Sequence, residues 1–250
     1  MSTSTPGTRH PGRVATATLC ALIGTGLLAA GATTAWSEHR AAHRPLPPDA
    51  AYRKAASLWR STPVDTLFPP VLDGQDTGPG GADRSWTRTA LAPEADCPAA
   101  LTADWRAALD ATGCTRVLRA TYTDATRSTL VTVGLVFTPA TAPAMDALRA
   151  RLTTAPAAYA YVDSRRAAWT ATVTAQAPAV VYAVSAFADG RAMDAPVPAE
   201  EATREGATGV VAEAGLGHAA KAVAARVERT LATAAAPPAT PHTPAPEPRR

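Results

Sequence analysis

Cys97 and Cys114 bracket a stretch, Pro98 to Gly113, that carries Leu101, Trp105, Ala108 and Leu109 at helical spacing. Outside the cytoplasm such a pair is oxidised when its backbones come within bonding range, a Cα separation of about 4.4–6.8 Å. One helix over the whole stretch would hold its ends about 20 Å apart. The bridge therefore requires the chain to fold back along the helix, or a shorter helix; two buried free thiols are the alternative. The expectation is a Cys97–Cys114 disulfide, closing a loop worth roughly 3 kcal/mol. Cys20 has Leu19 before it where a lipoprotein site needs a small residue, and it reads as a small apolar side chain.

Other chemistry-bearing groups stop short of a constellation. His39 and His43 share a helix face at metal-site spacing, but Arg40 stands where a zincin needs Glu, and two solvated histidines are the simpler reading. Asp73, Asp76 and Asp83 lie among glycines in a loop that invites calcium. The loop lacks the ligand spacing and closing Glu of an EF-hand, and a solvated polar loop explains it equally well. Gly215 to Ala220, GLGHAA, matches the G-x-G-x-x-A of dinucleotide sites. The chain then runs into Pro237-Pro238 where a second strand is needed, so the match reads as the start of a helix. There is no G-x-S-x-G, H-E-x-x-H or Walker motif. His218, at that helix start, and Asp104, Asp110, Asp124, Asp146, Asp163 and Asp189, at turns and helix faces, are available for acid–base work, with a solvated role as the default. The most site-like cluster is Tyr122, Asp124 and Arg127 at a hairpin end, equally an ordinary polar turn. No catalytic residue, metal ligand or cofactor is assigned, and the binding residues are unknown.

The elements that would position these groups follow from hydrophobic periodicity. Residues Val14 to Trp36, VATATLCALIGTGLLAAGATTAW, hold no charge and are long enough as a helix to cross a bilayer core of about 30 Å. They read as a transmembrane helix or uncleaved signal anchor, making the lipid bilayer a partner through Val14 to Trp36. The alternative is a signal peptide, with Arg9, His10 and Arg13 as its basic region and Ala30-Gly31-Ala32 as its cleavage site, which would make the protein secreted. The domain plan is a cytoplasmic tail over 1–13, the membrane helix over 14–36, a juxtamembrane helix and linker over 37–82, an extracytoplasmic α+β domain over 83–235 and a disordered Pro-rich tail over 236–250.

Within the linker, Tyr52 and Trp59 mark one face of a helix beginning at Asp49, and Val64 to Pro70 reads as extended, tucking Leu67 and Phe68 into the domain. Within the domain, SWTRTAL (85–91) alternates as a strand. The segments 116–123 and 128–137 form a hairpin across the tetrad Asp124 to Arg127, and 168–187 forms a second across Ala177-Pro178. Amphipathic helices are expected over 144–153 and 216–231; 198–214 reads as helix or loop. The fold class is α+β: antiparallel β-hairpins packed against helices on one face, preceded by one N-terminal transmembrane helix. Of the 250 residues, 46% are hydrophobic but only 5% aromatic, so small side chains should dominate the core. The net charge of +3 is spread along the chain, which argues against nucleic acid.

The stretches RSWTRTALAPEADC and RVLRATYTDATRSTLVTVGLVF, together with the Ala/Thr/Pro/Arg-rich style and one N-terminal membrane segment, resemble uncharacterised single-pass membrane-anchored envelope proteins of high-GC actinobacteria. In layout the chain also looks like their extracytoplasmic α+β sensor domains. The resemblance implies the cytoplasmic membrane as location, with the C-terminal domain outside, and an accessory or binding role toward an unknown envelope protein or small ligand. It carries no catalytic residue. The alternatives are an extracytoplasmic enzyme of unknown reaction and a structural envelope protein; a pocket holding His218 or converging carboxylates would favour the enzyme, and an exposed apolar patch or sheet edge would favour binding.

Overall fold

Val, Thr and Ala residues that are apolar or small on both sides of the strand make three segments fit only the middle of a sheet. The computed structural model describes residue 25 and residues 31–38, 46–74 and 84–236. The chain divides into two compact units, Met1–Leu46 and Pro47–Arg250. In the first, residues 31–38 are helical, and the Thr34 and Ser37 hydroxyls donate to the carbonyls three residues back. Apart from Thr25 and residues 31–36, the expected membrane segment 14–36 lies outside the described residues, as do His39, His43, residues 75–83 of the acidic loop and the tail from 237. Among the described residues no helix is long and apolar enough to cross a membrane.

The second unit begins with α1 (Pro48–Ala55), α2 (Leu58–Ser61) and α3 (Val64–Leu67), followed by β1 (Val71–Gly74) and β2 (Arg84–Leu91). Next come α4 (Cys97–Ala100), α5 (Ala103–Leu109), β3 (Arg116–Asp124), β4 (Thr129–Phe137) and α6 (Ala142–Arg149). The chain closes with β5 (Ala168–Val173), β6 (Ala179–Phe187), β7 (Val197–Pro198), α7 (Ala199–Ala202), α8 (Val210–Glu213) and α9 (Leu216–Ala235). Among the described residues the strands form one sheet in the order β1-β2-β3-β4-β6-β5-β7. Every neighbouring pair is antiparallel except β5 and β7. The α+β class and both expected hairpins are present.

Register sorts the side chains into two faces. Leu118 pairs with Leu135, Ala120 with Val133 and Tyr122 with Val131; Val133 then pairs with Ala183 and Leu135 with Val181. This face is covered by the apolar stripe of α9, with Ala219, Ala220, Val223, Val227 and Leu231 buried against it. Alanine on both helix and sheet lets the backbones approach closely, which is how a chain poor in aromatics closes this core. Leu67 and Phe68 are fully buried here, as expected, but from the single helical turn of α3 and not from an extended segment. Pro63 supplies the fixed φ before that turn. The Thr230 hydroxyl of α9 donates to the Leu67 carbonyl at 2.7 Å.

On the opposite face Val117, Val136, Val180, Val173 and Tyr182 pack against Trp105, Leu109, Met145 and Leu148 of α5 and α6. Helices on one face only is therefore corrected. With Val136, Val180 and Tyr182 also pointing away from α9, one layer would leave half of the apolar strand surface in water.

The helix expected over Pro98 to Gly113 is corrected to two short ones. Leu101 is extended, and Thr102 caps α5 by accepting from the Trp105 amide at 3.3 Å. Gly113, at φ +69°, then reverses the chain, and Ala95 bridges Val117 antiparallel. That fold-back sets Cys97 and Cys114 at a Cα separation of 6.1 Å, joined as a disulfide.

The G-x-G-x-x-A stretch is the start of α9, as its context implied. Gly215 sits at φ +68°, where a side chain would be strained. A Cβ on Gly217 would lie 2.9 Å from Ala202 Cβ and 3.1 Å from the Ala199 carbonyl, so its absence lets α9 cross α7.

Candidate functional site

The sheet face opposite α9 is covered in three different ways along its length. At one end lie α5 and α6. Over the middle runs a strap, residues 154–166, without a strand of its own; side chains therefore have to satisfy its backbone. The hydroxyls of Thr121 and Thr132 both donate to the Tyr159 carbonyl, at 2.7 and 2.8 Å, and the Tyr159 amide donates back to Thr132 Oγ1 at 3.0 Å. Tyr161 donates its phenol to the Val184 carbonyl at 2.6 Å; burial pushes that phenol up to about 12, against the opposing pull of the Thr132 hydrogen bond and Arg165. Arg166 Nη1 holds the carbonyls of Ala155 and Pro156. Threonine in these strands thus serves as the anchor line for a loop.

Beneath the strap one row of the sheet has unusual content. Arg119 pairs with Gly134, and Gly134 with Tyr182. The Tyr182 ring lies across Gly134 so closely that a Cβ there would fall 2.3 Å from two ring carbons and 2.6 Å from the hydroxyl oxygen. Trp105 meets the ring edge-on at 5.2 Å and donates its indole N–H to the Thr154 carbonyl at 2.9 Å. Arg119 stacks on Tyr159 at 5.1 Å.

At the third part of the face no helix or strap among the described residues lies on the strands. There Thr87 and Thr89 of β2, Thr123 of β3 and Leu130 of β4 floor a shallow hollow of about 480 Å³, with Asp124, Arg127 and Ala188 at its rim. Thr87 pairs with Thr123 and Thr123 with Leu130, so the floor is a continuous cross-strand row. Val71, 53% exposed, flanks Thr87 on the edge strand β1. The apolar-in, polar-out alternation of β2, with Trp86 fully buried between exposed Ser85 and Thr87, is the local cause.

The rim is held by Asp124. Its carboxylate accepts from the Ser128 and Thr129 amides, both at 2.8 Å, and from the Thr126 and Ser128 hydroxyls. Burial alone would raise its carboxyl, but these hydrogen bonds outweigh it and hold the group below the usual carboxylate range. Arg127, at φ +56°, closes the turn. Since the folded value is the lower one, the brace stabilises above the unfolded value of about 4 and is lost as pH falls through the folded value. Asp124→Ala should cost about 1 kcal/mol at pH 7, a figure kept small because the turn faces solvent, and the penalty should shrink in acid as the carboxylate takes up its proton. Urea midpoints of both proteins followed from pH 7 down into acid measure it; a penalty that does not change with pH would disprove the brace.

The sequence cluster Tyr122, Asp124, Arg127 is not brought together as one site. Asp124 and Arg127 line the hollow, whereas Tyr122 is buried on the α9 face with its hydroxyl donating to the Pro69 carbonyl at 2.9 Å. His218 is half-buried at the start of α9, its imidazole held low by burial and by Lys221 and Arg84. Asp163 and Asp189 serve local turns, Asp146 pairs with Arg149, and Asp104 and Asp110 are exposed. Among the described residues no three of His, Cys, Asp or Glu gather where a metal ion could sit. The threonine floor went unread in the sequence, although the polar side of SWTRTAL is its signature. No family model, no curated protein and no solved structure matches this chain.

Proposed function

We propose that the protein is a membrane-anchored accessory domain of the cell envelope that binds a partner, an envelope protein or small ligand, without catalysis. The observation that carries the reading is the open hollow over Thr87, Thr89, Thr123 and Leu130. Its volume of about 480 Å³ falls within the range of about 300–1,000 Å³ usual for ligand sites. Its floor sets three threonines beside Leu130, and Asp124 fixes its rim before any partner arrives, which lowers the ordering cost of binding. The Cys97–Cys114 disulfide supports an oxidising exterior as the address, in keeping with the uncharged run from Val14 to Trp36 and with a likeness to actinobacterial envelope proteins.

A photo-crosslinking residue at Arg127 of the full-length chain, activated in the native membrane fraction, tests it. The expected result is a discrete adduct that falls about tenfold when Thr87→Arg fills the hollow, while a crosslinker at Arg149, on the far helix, gives no such adduct. An Arg127 adduct indifferent to Thr87→Arg, or none, would overturn the reading.

A further inference from the structure

On the other side of the sheet, α9 presents Arg226 and Arg229 one turn apart, so their guanidinium groups share a flank. They line a cleft of about 380 Å³ between α9, α3 and β1, together with Thr66, Asp73, Thr230 and Thr233. Of the other half-buried arginines, Arg88, Arg116 and Arg166 are ion-paired and Arg119 and Arg165 stack on tyrosines, while Arg84, on β2, has neither kind of partner among the described residues. Among the described residues Arg226 has neither kind, and its Nε, like those of Arg116, Arg119 and Arg165, is buried without a hydrogen-bond acceptor. What sets Arg226 apart at the cleft is that its half-buried guanidinium has no carboxylate partner among the described residues, and a partly desolvated charge left unpaired is costly.

The chemistry of the lining narrows what completes it. Thr230 already donates to Leu67 and Val227, and Thr233 to Arg229, so their protons are spent. The remaining donors are two guanidinium forks and the exposed Thr66 hydroxyl. Forked donors set beside a hydroxyl match the oxygens of a tetrahedral oxyanion, which accepts two hydrogen bonds from each fork. Asp73 stands at the same cleft and makes no ion pair with either arginine among the described residues, so it offsets part of the positive field without closing the site. Upstream, Lys221 of the same helix and Arg84 of β2 place positive charge beside His218.

We infer that the cleft of Arg226, Arg229 and Thr66 is a binding site for a phosphate group, carried either by free phosphate or by the phosphodiester headgroup of an anionic lipid. The site is independent of the threonine hollow.

The test uses the full chain in a neutral detergent, titrated calorimetrically with inorganic phosphate and, separately, with glycerophosphoglycerol as the soluble diester headgroup. Saturable binding is expected for at least one probe. Arg226→Gln and Arg229→Gln should each weaken it about tenfold, Arg226→Lys less, and Asp73→Asn should tighten it several-fold by removing the opposing charge. Arg149→Gln, outside the cleft, should change nothing. Tighter binding of the diester assigns a headgroup; tighter binding of inorganic phosphate assigns the free ion. A melting curve on each variant separates lost binding from lost fold. Should a folded Arg226→Gln protein bind both probes as the parent does, or should neither probe saturate, the inference is overturned.

Discussion

Gly134→Ala should destabilise the protein by about 3 kcal/mol, the upper end of the usual cost of overpacking. The added carbon would lie 2.3 Å from two carbons of the Tyr182 ring, far inside van der Waals contact, and neither side of the clash can yield. Gly134 sits in the central strand β4, paired on both sides. Tyr182 is fully buried and wedged against Trp105, which is itself tied to the Thr154 carbonyl. Urea denaturation gives the number. Combining Gly134→Ala with Tyr182→Leu should recover a large part of the loss, because the smaller side chain removes the clash; contacting residues are expected to be non-additive in this way. Tyr182→Phe, by contrast, should be nearly neutral, since the phenol is buried without a partner and its removal forfeits no hydrogen bond. A Gly134→Ala protein within about 0.5 kcal/mol of the parent would mean that the ring does not lie on this strand.

Replacing Cys97 and Cys114 together by Ser should cost about 3 kcal/mol, given their sequence separation of 17. The crosslink does more than shorten the unfolded chain. It fastens the start of α4 to the chain just before β3, and between those points lie Trp105 and Leu109, half of the wall that Tyr182 packs against. Freed from the bridge, α4 and α5 keep their apolar contacts and a few hydrogen bonds such as that of Trp105 to the Thr154 carbonyl, and two helices of four and seven residues are far too short to persist alone. The thermal midpoint of the double variant should therefore fall to that of the parent in reductant. In the untreated parent, alkylating reagent should label neither cysteine until reductant is added. Labelling of both in the native protein would remove the disulfide and with it the support for an oxidising address.

What the sequence disclosed depended on the length over which a pattern could repeat. The hairpin of β3 and β4 was legible because nine-residue strands carry Val131, Val133, Leu135 and Phe137 on one side, and because Asp124 to Arg127 is a turn by composition. The stripe of α9 was legible for the same reason. β1 was not, as four residues between Pro70 and a glycine-rich run hold no period, and its strand character comes from pairing with Trp86 and Thr87. Nor was the break at Leu101-Thr102, where a threonine cap competes with an otherwise unbroken helical spacing. The site was harder still. Tyr122 and Asp124 are two residues apart in one strand, yet the first is committed to the core and the second to its own turn, a division made by the α3 segment that returns to Tyr122 from 53 residues earlier. The threonine floor and the arginine cleft are each assembled from segments far apart in the chain, and no single window contains either.

Thr230 reaches Leu67 across 163 residues of sequence, and that span has a meaning in time. The hairpins that make the sheet are local and can pair as soon as each is synthesised, but the helix that seals one whole face of them is the last of the described elements to be synthesised. Until it emerges, Val131, Val133 and Leu135 remain a bare apolar surface, with α3 poised beside it and nothing to clasp. The protein thus passes through an interval in which its secondary structure is nearly complete and its solubility is at its lowest. The length of that interval is set by how quickly the final residues arrive and by what shelters the sheet meanwhile. A chain cut before α9 would be held there for good.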